Sequence, residues 1–244
     1  MKIEDSIILI TGSARRVGKS IALTLAEKGA QVILHYNASE HEISETAEQI
    51  AKIGKTPMIL QGDISRSSHW IQMKNNVMAE FQRIDGLINN AAIFYKTPLL
   101  ETTEKQWDQF MDVNLKGVFL GCQCFGEVMY QQKQGKIINI ADVAAENVWS
   151  GYIPYCVSKA GVIALTRGLA KALAPYVTVN AIAPGTVLLA ESYDEEEEQR
   201  LIDKTPLKRV GDPQDIANTA VFLLEGSDFV NGTIIKVDGG RSLM

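Results

Sequence analysis

The chain has 244 residues, of which 46% are hydrophobic and 22% charged, a balance that can fill the core of a globular protein. Its formal net charge of −5 argues against a broad nucleic-acid-binding surface, and no apolar run reaches the roughly 18 residues that a membrane span needs. Three cysteines without a disulfide framework, and an N-terminus that passes directly into a strand pattern, predict a cytoplasmic protein.

Residues 6–61 alternate between strand and helix patterns. Short apolar runs typical of buried parallel strands occupy 6–11, 31–36 and 57–61. Helical spacing of apolar residues occupies 19–28 and 38–53, and a glycine follows each of these helices. This order predicts a βαβαβ unit with right-handed crossovers and a parallel sheet.

The same alternation continues to the C-terminus. Further helix patterns cover 67–81, 104–131, 152–174 and 213–224. Further strand patterns cover 85–89, 136–140, 177–183 and 233–237. Because no repeat, linker or second pattern interrupts the series, residues 1–244 are predicted to form one Rossmann-like α/β domain. Cys122-x-Cys124, inside a helix pattern with no histidine nearby, predicts buried thiols and no metal site.

The long segment 186–206 is predicted to be a lid over the substrate. Its acidic run, 194–198, indicates a solvated helix start, with recruitment of a cationic partner as the alternative. Trp149, Tyr152 and Tyr193 are candidate walls of the substrate pocket or, equally, packing residues.

The loop after the first predicted strand has the features of a phosphate-binding site. Gly12 permits a tight turn, and Gly18 permits close backbone approach at a helix start, where N–H groups suit a pyrophosphate. Arg16 stands where the usual three-glycine fingerprint has its middle glycine. Because the loop opens a βαβ unit, it predicts nucleotide binding, with a plain strand-to-helix turn as the alternative.

The end of the second predicted strand favours NADPH over NADH. An acid there would bind a ribose 2′-hydroxyl, but residues 35–39 read His-Tyr-Asn-Ala-Ser and the first acid is Glu40. Arg15 and Arg16, in the adjacent loop, suit a 2′-phosphate, while a solvated basic turn would also explain them.

Two residues near this end have two interpretations each. His35 is either a cofactor contact or a strand histidine with internal hydrogen-bond partners. Asp63, just after the third strand, either meets the adenine amine or caps a turn.

Tyr155 and Lys159 are four residues apart in a helix pattern and therefore share a face one turn from each other. An ammonium beside a phenol favours the phenolate, so Lys159 is expected to lower the pKa of Tyr155 from its usual value of about 10. The pair would then form a proton donor that works near neutral pH.

Along its whole length the chain resembles the short-chain dehydrogenase/reductase family. The resemblance rests on short motifs in the family's order: Thr11-Gly12…Gly18, Asp63, Asn89-Asn90-Ala91-Ala92, Asn114, Tyr155-x-x-x-Lys159, Pro184-Gly185 and Val237-Asp238-Gly239-Gly240. It implies a doubly wound sheet with strand order 3-2-1-4-5-6-7, helices on both faces, a nicotinamide dinucleotide cofactor and, usually, a homotetramer.

The resemblance also implies roles for individual residues. Tyr155 would be the proton donor, Lys159 would hold the nicotinamide ribose and tune Tyr155, and Asn114 would support a water-linked proton path. With the residues argued above, the expected NADP(H) contacts are Gly12, Arg15, Arg16, Val17, Gly18, His35, Tyr36, Asn37, Ser39, Asp63, Ile64, Asn90, Ala91, Ala92, Tyr155, Lys159, Pro184, Gly185, Thr186 and Val187.

One position departs from the family. Most members carry a serine thirteen residues before the tyrosine, where it donates a hydrogen bond to the substrate carbonyl; this chain carries Asp142. An ionised carboxylate accepts and does not donate, and it would raise the pKa of Tyr155. Asp142 therefore fits a substrate that is cationic or rich in N–H donors, a proton relay to Tyr155 or, alternatively, a loop cap.

Three local motifs are similar to the pteridine reductase branch of the family. They are Thr11-Gly12-Ser-Ala-Arg-Arg16-Val-Gly18, His35-Tyr36-x-x-Ser39, and Asn89-Asn90-Ala-Ala-Ile-Phe94-Tyr95-x-Thr97-Pro98-Leu99-Leu100. The branch implies that Phe94 stacks on a pterin and that Asp142 pairs with Tyr155, which makes Phe94, Asp142 and Tyr155 the expected substrate contacts. An aromatic platform suits a flat heteroaromatic ring, although Phe94 could also simply pack beneath the lid.

The sequence thus predicts an NADPH-dependent reductase of a pterin or dihydrofolate-type substrate. The alternatives are a 3-oxoacyl-acyl-carrier-protein reductase or related carbonyl reductase or alcohol dehydrogenase, and a dinucleotide-binding sensor or scaffold without turnover. The intact set of Asn114, Tyr155 and Lys159 argues against the sensor.

Overall fold

The computed structural model describes residues 1–188 and 194–244. In these residues seven parallel strands form one sheet with the order β3-β2-β1-β4-β5-β6-β7. The strands are β1 Ile7–Ile10, β2 Gln31–Tyr36, β3 Met58–Gln61, β4 Gly86–Asn89, β5 Gly135–Ile140, β6 Val177–Pro184 and β7 Ile234–Val237. The predicted doubly wound fold and its strand order are confirmed.

Helices cover both faces of the sheet. They are α1 Arg16–Glu27, α2 Glu40–Ile53, α3 Ser67–Phe81, α4 Glu104–Phe110, α5 Gly117–Gln132, α6 Ile153–Ala172, α7 Glu195–Asp203 and α8 Pro213–Val221. Successive residues of each strand point to opposite faces. On β1, Leu9 packs into the core beneath α3, α5 and α6, while Ile8 and Ile10 pack into the core beneath α1, α2 and α8. Burial on both faces explains why the strands read as continuous apolar runs.

The predicted helix 104–131 is interrupted. Between α4 and α5 the chain forms a π-helical stretch, Met111–Lys116, and the predicted helix 213–224 likewise ends in a π-helical turn, Phe222–Gly226. An apolar pattern does not resolve the single extra residue of a π turn. The first of these turns carries Asn114, which is fully buried.

The predicted lid contains a helix. Asp194 caps α7, because its side chain accepts the N–H of Glu197 over 2.8 Å, and all four glutamates of 195–198 lie in the first turn. The acidic run is therefore a helix start, as predicted, where negative charge meets the positive end of the helix dipole. The candidate pocket wall Tyr193 lies outside the described residues.

Within 1–188 and 194–244 no helix is both long and apolar enough to cross a membrane. The same residues contain no cluster of histidine, cysteine, aspartate or glutamate arranged to hold a metal ion. The three cysteines are free and buried.

Candidate active site

A cleft of about 1750 Å³ runs along the carboxyl ends of the strands. The order of the sheet reverses there, between β1 and β4, which is the usual place for a nucleotide in a doubly wound fold. Every residue predicted to contact cofactor or substrate lines this cleft. Asn114, predicted to be catalytic, lies behind its wall.

The glycine loop leaves room for a phosphate. Gly12 has a φ of +63°, which a side chain rarely adopts, and a Cβ on Gly18 would collide with the carbonyl oxygen of Gly12. The N-cap residue of α1, Arg15, makes no side-chain capping hydrogen bond, so it leaves the N-terminal N–H groups of the helix to other acceptors. These features fit a dinucleotide pyrophosphate.

Thr11 joins the glycine loop to the loop after β4. Its hydroxyl oxygen accepts the backbone N–H groups of Asn90, at 2.9 Å, and of Ala91, at 3.0 Å. The side-chain amide of Asn90 donates to the carbonyl oxygens of Thr11 and Gly12. Asn90 therefore holds the glycine loop in shape, a role that its place in a short motif does not reveal.

His35 is a structural histidine. Its Nδ1 accepts the N–H of Gly12 at 3.2 Å, and its Nε2 lies 3.0 Å from the carbonyl oxygen of Gly62, to which it donates as the other nitrogen of a neutral ring. Burial lowers the pKa of His35 to about 4. Because both ring nitrogens are bonded internally, His35 positions the glycine loop, as the second of its two sequence interpretations has it, while its side chain also lines the cleft.

Asp63 caps a turn. One carboxylate oxygen accepts the N–H and the hydroxyl of Ser65, at 2.9 and 2.7 Å, and the other lies 3.3 Å from Nε of Arg66. The side chain still lines the cleft, so the capped turn also presents it to a ligand.

The end of the cleft at β2 holds cations and no acid before Glu40, which lies in the first turn of α2. Arg15 and Arg16 are exposed at its edge. Arg16 also reaches the segment after β6, because its guanidinium donates to the carbonyl oxygen of Leu188 at 3.3 Å.

At the other end of the cleft, the hydroxyl of Tyr155 donates to Asp142 over 2.6 Å. The second carboxylate oxygen of Asp142 accepts the N–H of Ala144 at 2.8 Å and so caps a short 3-10 turn, Val143–Ala145. Asp142 therefore makes the pairing with Tyr155 that the pteridine reductase resemblance implies, and it also caps the loop, as its alternative interpretation has it.

The pKa of Tyr155 is raised well above its usual value. Burial is the main cause, and the charge and hydrogen bond of Asp142 add to it. The expectation that the pKa of Tyr155 lies below its usual value is therefore wrong, because burial and Asp142 raise it. Lys159 lies on the same face of α6, but its ammonium is 5.9 Å from the centre of the Tyr155 ring and donates instead to the carbonyl oxygen of Ile140 at 2.7 Å.

Burial shifts the other two ionisable groups of the site as well. It lowers the pKa of Lys159 to about 8, against the opposing charge of Asp142. It raises the pKa of Asp142, opposed by the hydrogen bond from Tyr155, the N–H of Ala144 and the charges of Lys159 and Arg241. Desolvation disfavours the charged form of each group.

Asn114 connects the π-helical stretch to the loop after β4. Its side chain accepts the N–H of Ile93 at 2.8 Å and donates to the carbonyl oxygen of Ile93 at 3.0 Å. It also donates to the hydroxyl of Ser158, the neighbour of Lys159, at 3.3 Å. Asn114 thus supports α6 from behind.

Aromatic side chains line the end of the cleft at which Tyr155 lies. The rings of Phe94 and Tyr152 are stacked with centres 4.8 Å apart, and Trp149 is stacked on Tyr155 at 6.5 Å. Phe94 also meets Tyr155 edge to face at 4.8 Å and is 48% exposed. Trp149 and Tyr152 line the cleft and also pack against other aromatic rings, so both of their sequence interpretations apply, and Tyr152 covers one face of Phe94.

Arg241 is a site residue that the sequence patterns did not reveal. It follows the C-terminal Asp238-Gly239-Gly240 turn and lines the cleft beside the aromatic walls. Its guanidinium donates to the hydroxyl of Thr186 at 2.6 Å and lies 6.0 Å from the centre of the Trp149 ring. The only available signal was its place after a family motif, which says nothing about where the side chain points.

Comparisons with known proteins agree with the fold and the motifs. Residues 12–242 match the profile of a family described as Enoyl-(Acyl carrier protein) reductase. The 3-oxoacyl-[acyl-carrier-protein] reductase of Staphylococcus epidermidis is 35% identical over 236 residues, which cover 95% of this chain and 97% of that protein. A (2S)-[(R)-hydroxy(phenyl)methyl]succinyl-CoA dehydrogenase subunit of Thauera aromatica is 37% identical over 250 residues, covering 100% and 99%.

Solved structures give the same result. A protein of Agrobacterium tumefaciens, provisionally assigned as a gluconate dehydrogenase, superimposes with a TM-score of 0.95 at 31% identity and covers 100% of this chain and 98% of its own. A provisionally assigned short-chain alcohol dehydrogenase of Sinorhizobium meliloti has a TM-score of 0.92 at 32% identity, covering 99% and 98%. The chain therefore belongs to the short-chain dehydrogenase/reductase family of NAD(P)-dependent oxidoreductases.

Proposed function

We propose that this enzyme is an NADPH-dependent reductase of a flat, nitrogen-containing ring of the pterin or dihydrofolate type. The observation that carries the proposal is the hydrogen bond from Tyr155 to Asp142. A plain ketone reductase needs a neutral donor beside the tyrosine, and a carboxylate at this position accepts hydrogen bonds instead. A ring with N–H groups supplies donors for such a carboxylate.

The cofactor preference rests on charge. Two arginines and no acid before Glu40 border the cleft at β2, where an NADPH 2′-phosphate would be held by Arg15 and Arg16. The phosphates would lie against the uncapped start of α1 and the Gly12 turn. When bound, NADPH supplies the hydride, which is the chemistry that no side chain of this protein can supply.

The chain's own residues handle the proton. Burial raises the pKa of both Asp142 and Tyr155, which favours a proton held between them at neutral pH. Tyr155 donates this proton to the substrate, and the nearby ammonium of Lys159 stabilises the phenolate that remains. The phenolate then regains a proton from solvent, and Asp142 relays it, since the two oxygens are already at hydrogen-bond distance.

The aromatic walls support a planar substrate. Phe94, Tyr152 and Trp149 enclose the end of the cleft at which Tyr155 lies. A flat ring can use the face of Phe94 that Tyr152 leaves uncovered, or it can displace Tyr152. Phe94 is exposed enough for either.

A second candidate is reduction of a 3-oxoacyl thioester. The name of the Staphylococcus epidermidis relative, which matches almost the whole chain, favours this candidate over the pterin. The aspartate at position 142 favours the pterin over the thioester, because the ketone of a 3-oxoacyl thioester has no N–H to give to a carboxylate. In this case Asp142 would have to act in its protonated form, which its raised pKa assists.

The two candidates are separated by measuring NADPH oxidation with dihydrobiopterin, dihydrofolate and an acetoacetyl thioester. We expect turnover of a dihydropterin and little turnover of the thioester, and the reverse preference would replace the first candidate with the second. Asp142→Ser is the informative variant, because it restores a neutral donor. It is expected to lose pterin activity; a gain of thioester activity would identify Asp142 as the residue that selects the substrate.

The cofactor proposal has its own test. Replacing Arg15 and Arg16 by glutamine is expected to raise the KM for NADPH by about 10-fold or more while leaving the KM for NADH within about 3-fold, since only NADPH carries the 2′-phosphate. Arg167→Gln, an exposed arginine of α6 outside the cleft, is the matched control. Equal effects on the two cofactors would remove the argument from these arginines.

We also propose that the enzyme is a homotetramer, as its family resemblance implies. Exposed apolar side chains on α5 and α6, including Phe119 and Val157, at 41% exposure each, are candidates for subunit contacts. Size-exclusion chromatography with light scattering measures the subunit number, and Phe119→Asp is expected to lower this number.

A further inference from the structure

Arg241 is held in place both by the turn that carries it and by the contacts of its guanidinium. Asp238 accepts the N–H groups of Gly240 and Ser242 at 3.0 and 2.8 Å, which shapes the turn before and after Arg241. Gly239 and Gly240 have φ of +62° and +84°, conformations that favour glycine. The side chain then bonds to Thr186 and lies over Trp149. Such preorganisation lowers the entropy cost of binding a ligand.

Arg241 differs from the arginines that lie in ion pairs. Among residues 1–188 and 194–244, four arginines each lie within 4 Å of a carboxylate: Arg66 with Asp63, Arg83 with Asp85, Arg200 with Glu196 and Arg209 with Asp215. Within the described residues, Arg241 has a neutral hydroxyl and an aromatic face as its partners. It is half-buried, and it lines the cleft beside the aromatic walls.

We infer that Arg241 binds a carboxylate of the substrate. The guanidinium has five N–H donors in a planar fork that matches a carboxylate, and Thr186 uses one of them. A partly buried cation without a carboxylate partner gains most from a ligand that brings the missing negative charge.

The other charges at this end are already engaged. Both carboxylate oxygens of Asp142 accept hydrogen bonds, and Lys159 donates to Ile140. Arg241 also interacts electrostatically with Asp142, since its positive charge opposes the rise in the Asp142 pKa. The anchoring cation therefore lies within electrostatic range of the reacting end, and a substrate held by its carboxylate would be oriented toward Tyr155.

This inference rests on the proposed reductase function and narrows its substrate class to acids. Among dihydropterins it favours dihydrofolate, whose glutamyl tail carries carboxylates, over dihydrobiopterin, whose side chain is uncharged. Among ketones it favours acetoacetate over its ethyl ester.

The test compares each acid with its uncharged partner in the wild type, Arg241→Gln and Arg241→Lys, with Arg167→Gln as control. In Arg241→Gln the KM for the acid is expected to rise about 10- to 100-fold, the range of a lost charge-assisted hydrogen bond, while the KM for the uncharged partner changes less than about 3-fold. Lysine should restore part of the loss. Equal changes for acid and uncharged partner would overturn the inference, whichever substrate class is turned over.

If neither pair is turned over, the proposed function fails and binding decides the role of Arg241 separately. Folate and unsubstituted pterin are then titrated calorimetrically into the enzyme saturated with NADP⁺. A preference for folate that Arg241→Gln removes supports the inference, and equal binding of both ligands by wild type and variant refutes it. Melting temperatures of all variants establish that each is folded.

Discussion

Tyr155 directs its hydroxyl hydrogen at Asp142, 2.6 Å away, while the same carboxylate caps the turn at Ala144. The family's usual neutral donor is thereby replaced by a group that competes for the tyrosine's own proton. The pKa of Tyr155 is accordingly raised by burial and by Asp142. This pair decides the pH dependence expected of the enzyme.

Asp142→Asn should move the alkaline limb of the pH–rate profile to lower pH. Tyr155 donates only while protonated, so activity falls as the pH rises through its pKa, and removing the negative charge of Asp142 lowers that pKa. The measurement is kcat/KM from about pH 6 to about pH 11, in which the limb should lie at lower pH in the variant than in the wild type. Tyr155→Phe should abolish turnover, and a limb that stays in place in Asp142→Asn would mean that another group titrates there.

Lys159→Met should lack a gain in stability that the wild type shows as the pH rises. Burial lowers the pKa of Lys159 from 10.5 to about 8, so between these values the unfolded chain binds a proton that the folded chain does not. Stability of the wild type therefore rises with pH in this window, and methionine lacks the effect. From pH 7 to pH 10 the unfolding free energy of the wild type should rise, relative to that of the variant, by up to about 3 kcal/mol. Urea unfolding at both pH values measures it, and a constant difference would refute the assignment.

His35→Gln should reduce the acid sensitivity of the fold. The neutral ring of His35 links Gly12 to Gly62, and burial lowers its pKa from 6.5 to about 4. The stability this group contributes is present above about pH 6.5 and is lost as the pH falls through about 4, because the unfolded chain takes up the proton first. The full loss is about 3 kcal/mol, and the variant should lack most of it. His41→Gln, on the exposed side of α2, should keep the wild-type loss in the same denaturation series.

Gly18→Ala should impair cofactor binding, because its Cβ would collide with the Gly12 carbonyl and approach Nδ2 of Asn90 to 2.6 Å. We expect the Kd for NADPH, measured by fluorescence titration, to rise about 10-fold or more, together with a loss of about 1–3 kcal/mol in stability. Gly168→Ala is the matched control, since its Cβ would meet open space on α6. It should leave the Kd unchanged and raise stability by up to about 1 kcal/mol. A Gly18→Ala protein with wild-type affinity would contradict the phosphate-loop assignment.

Much of the fold was predictable because its signals are local. Helix α3 and strand β2 have the predicted boundaries, since both the apolar spacing and the flanking residues mark them. The break in the helix predicted at 104–131 was not visible, because it coincides with hydrogen bonds between Asn114 and Ile93, which lies on a different loop. Boundaries set by such tertiary hydrogen bonds leave no periodic trace.

By itself, the sequence determined the alternation of strands and helices, the glycine loop that lines the cleft and the placing of Tyr155 and Lys159 on one helix face, because these follow from periodicity and spacing. The strand order came from the family resemblance that the motifs carry. Only the tertiary structure decided what these groups do to each other. In the folded chain Lys159 donates to the carbonyl of Ile140, and both ring nitrogens of His35 are hydrogen-bonded internally. Arg241, near the C-terminus, lies over Trp149. The physical reason is that desolvation and hydrogen-bond geometry depend on neighbours that only packing brings together.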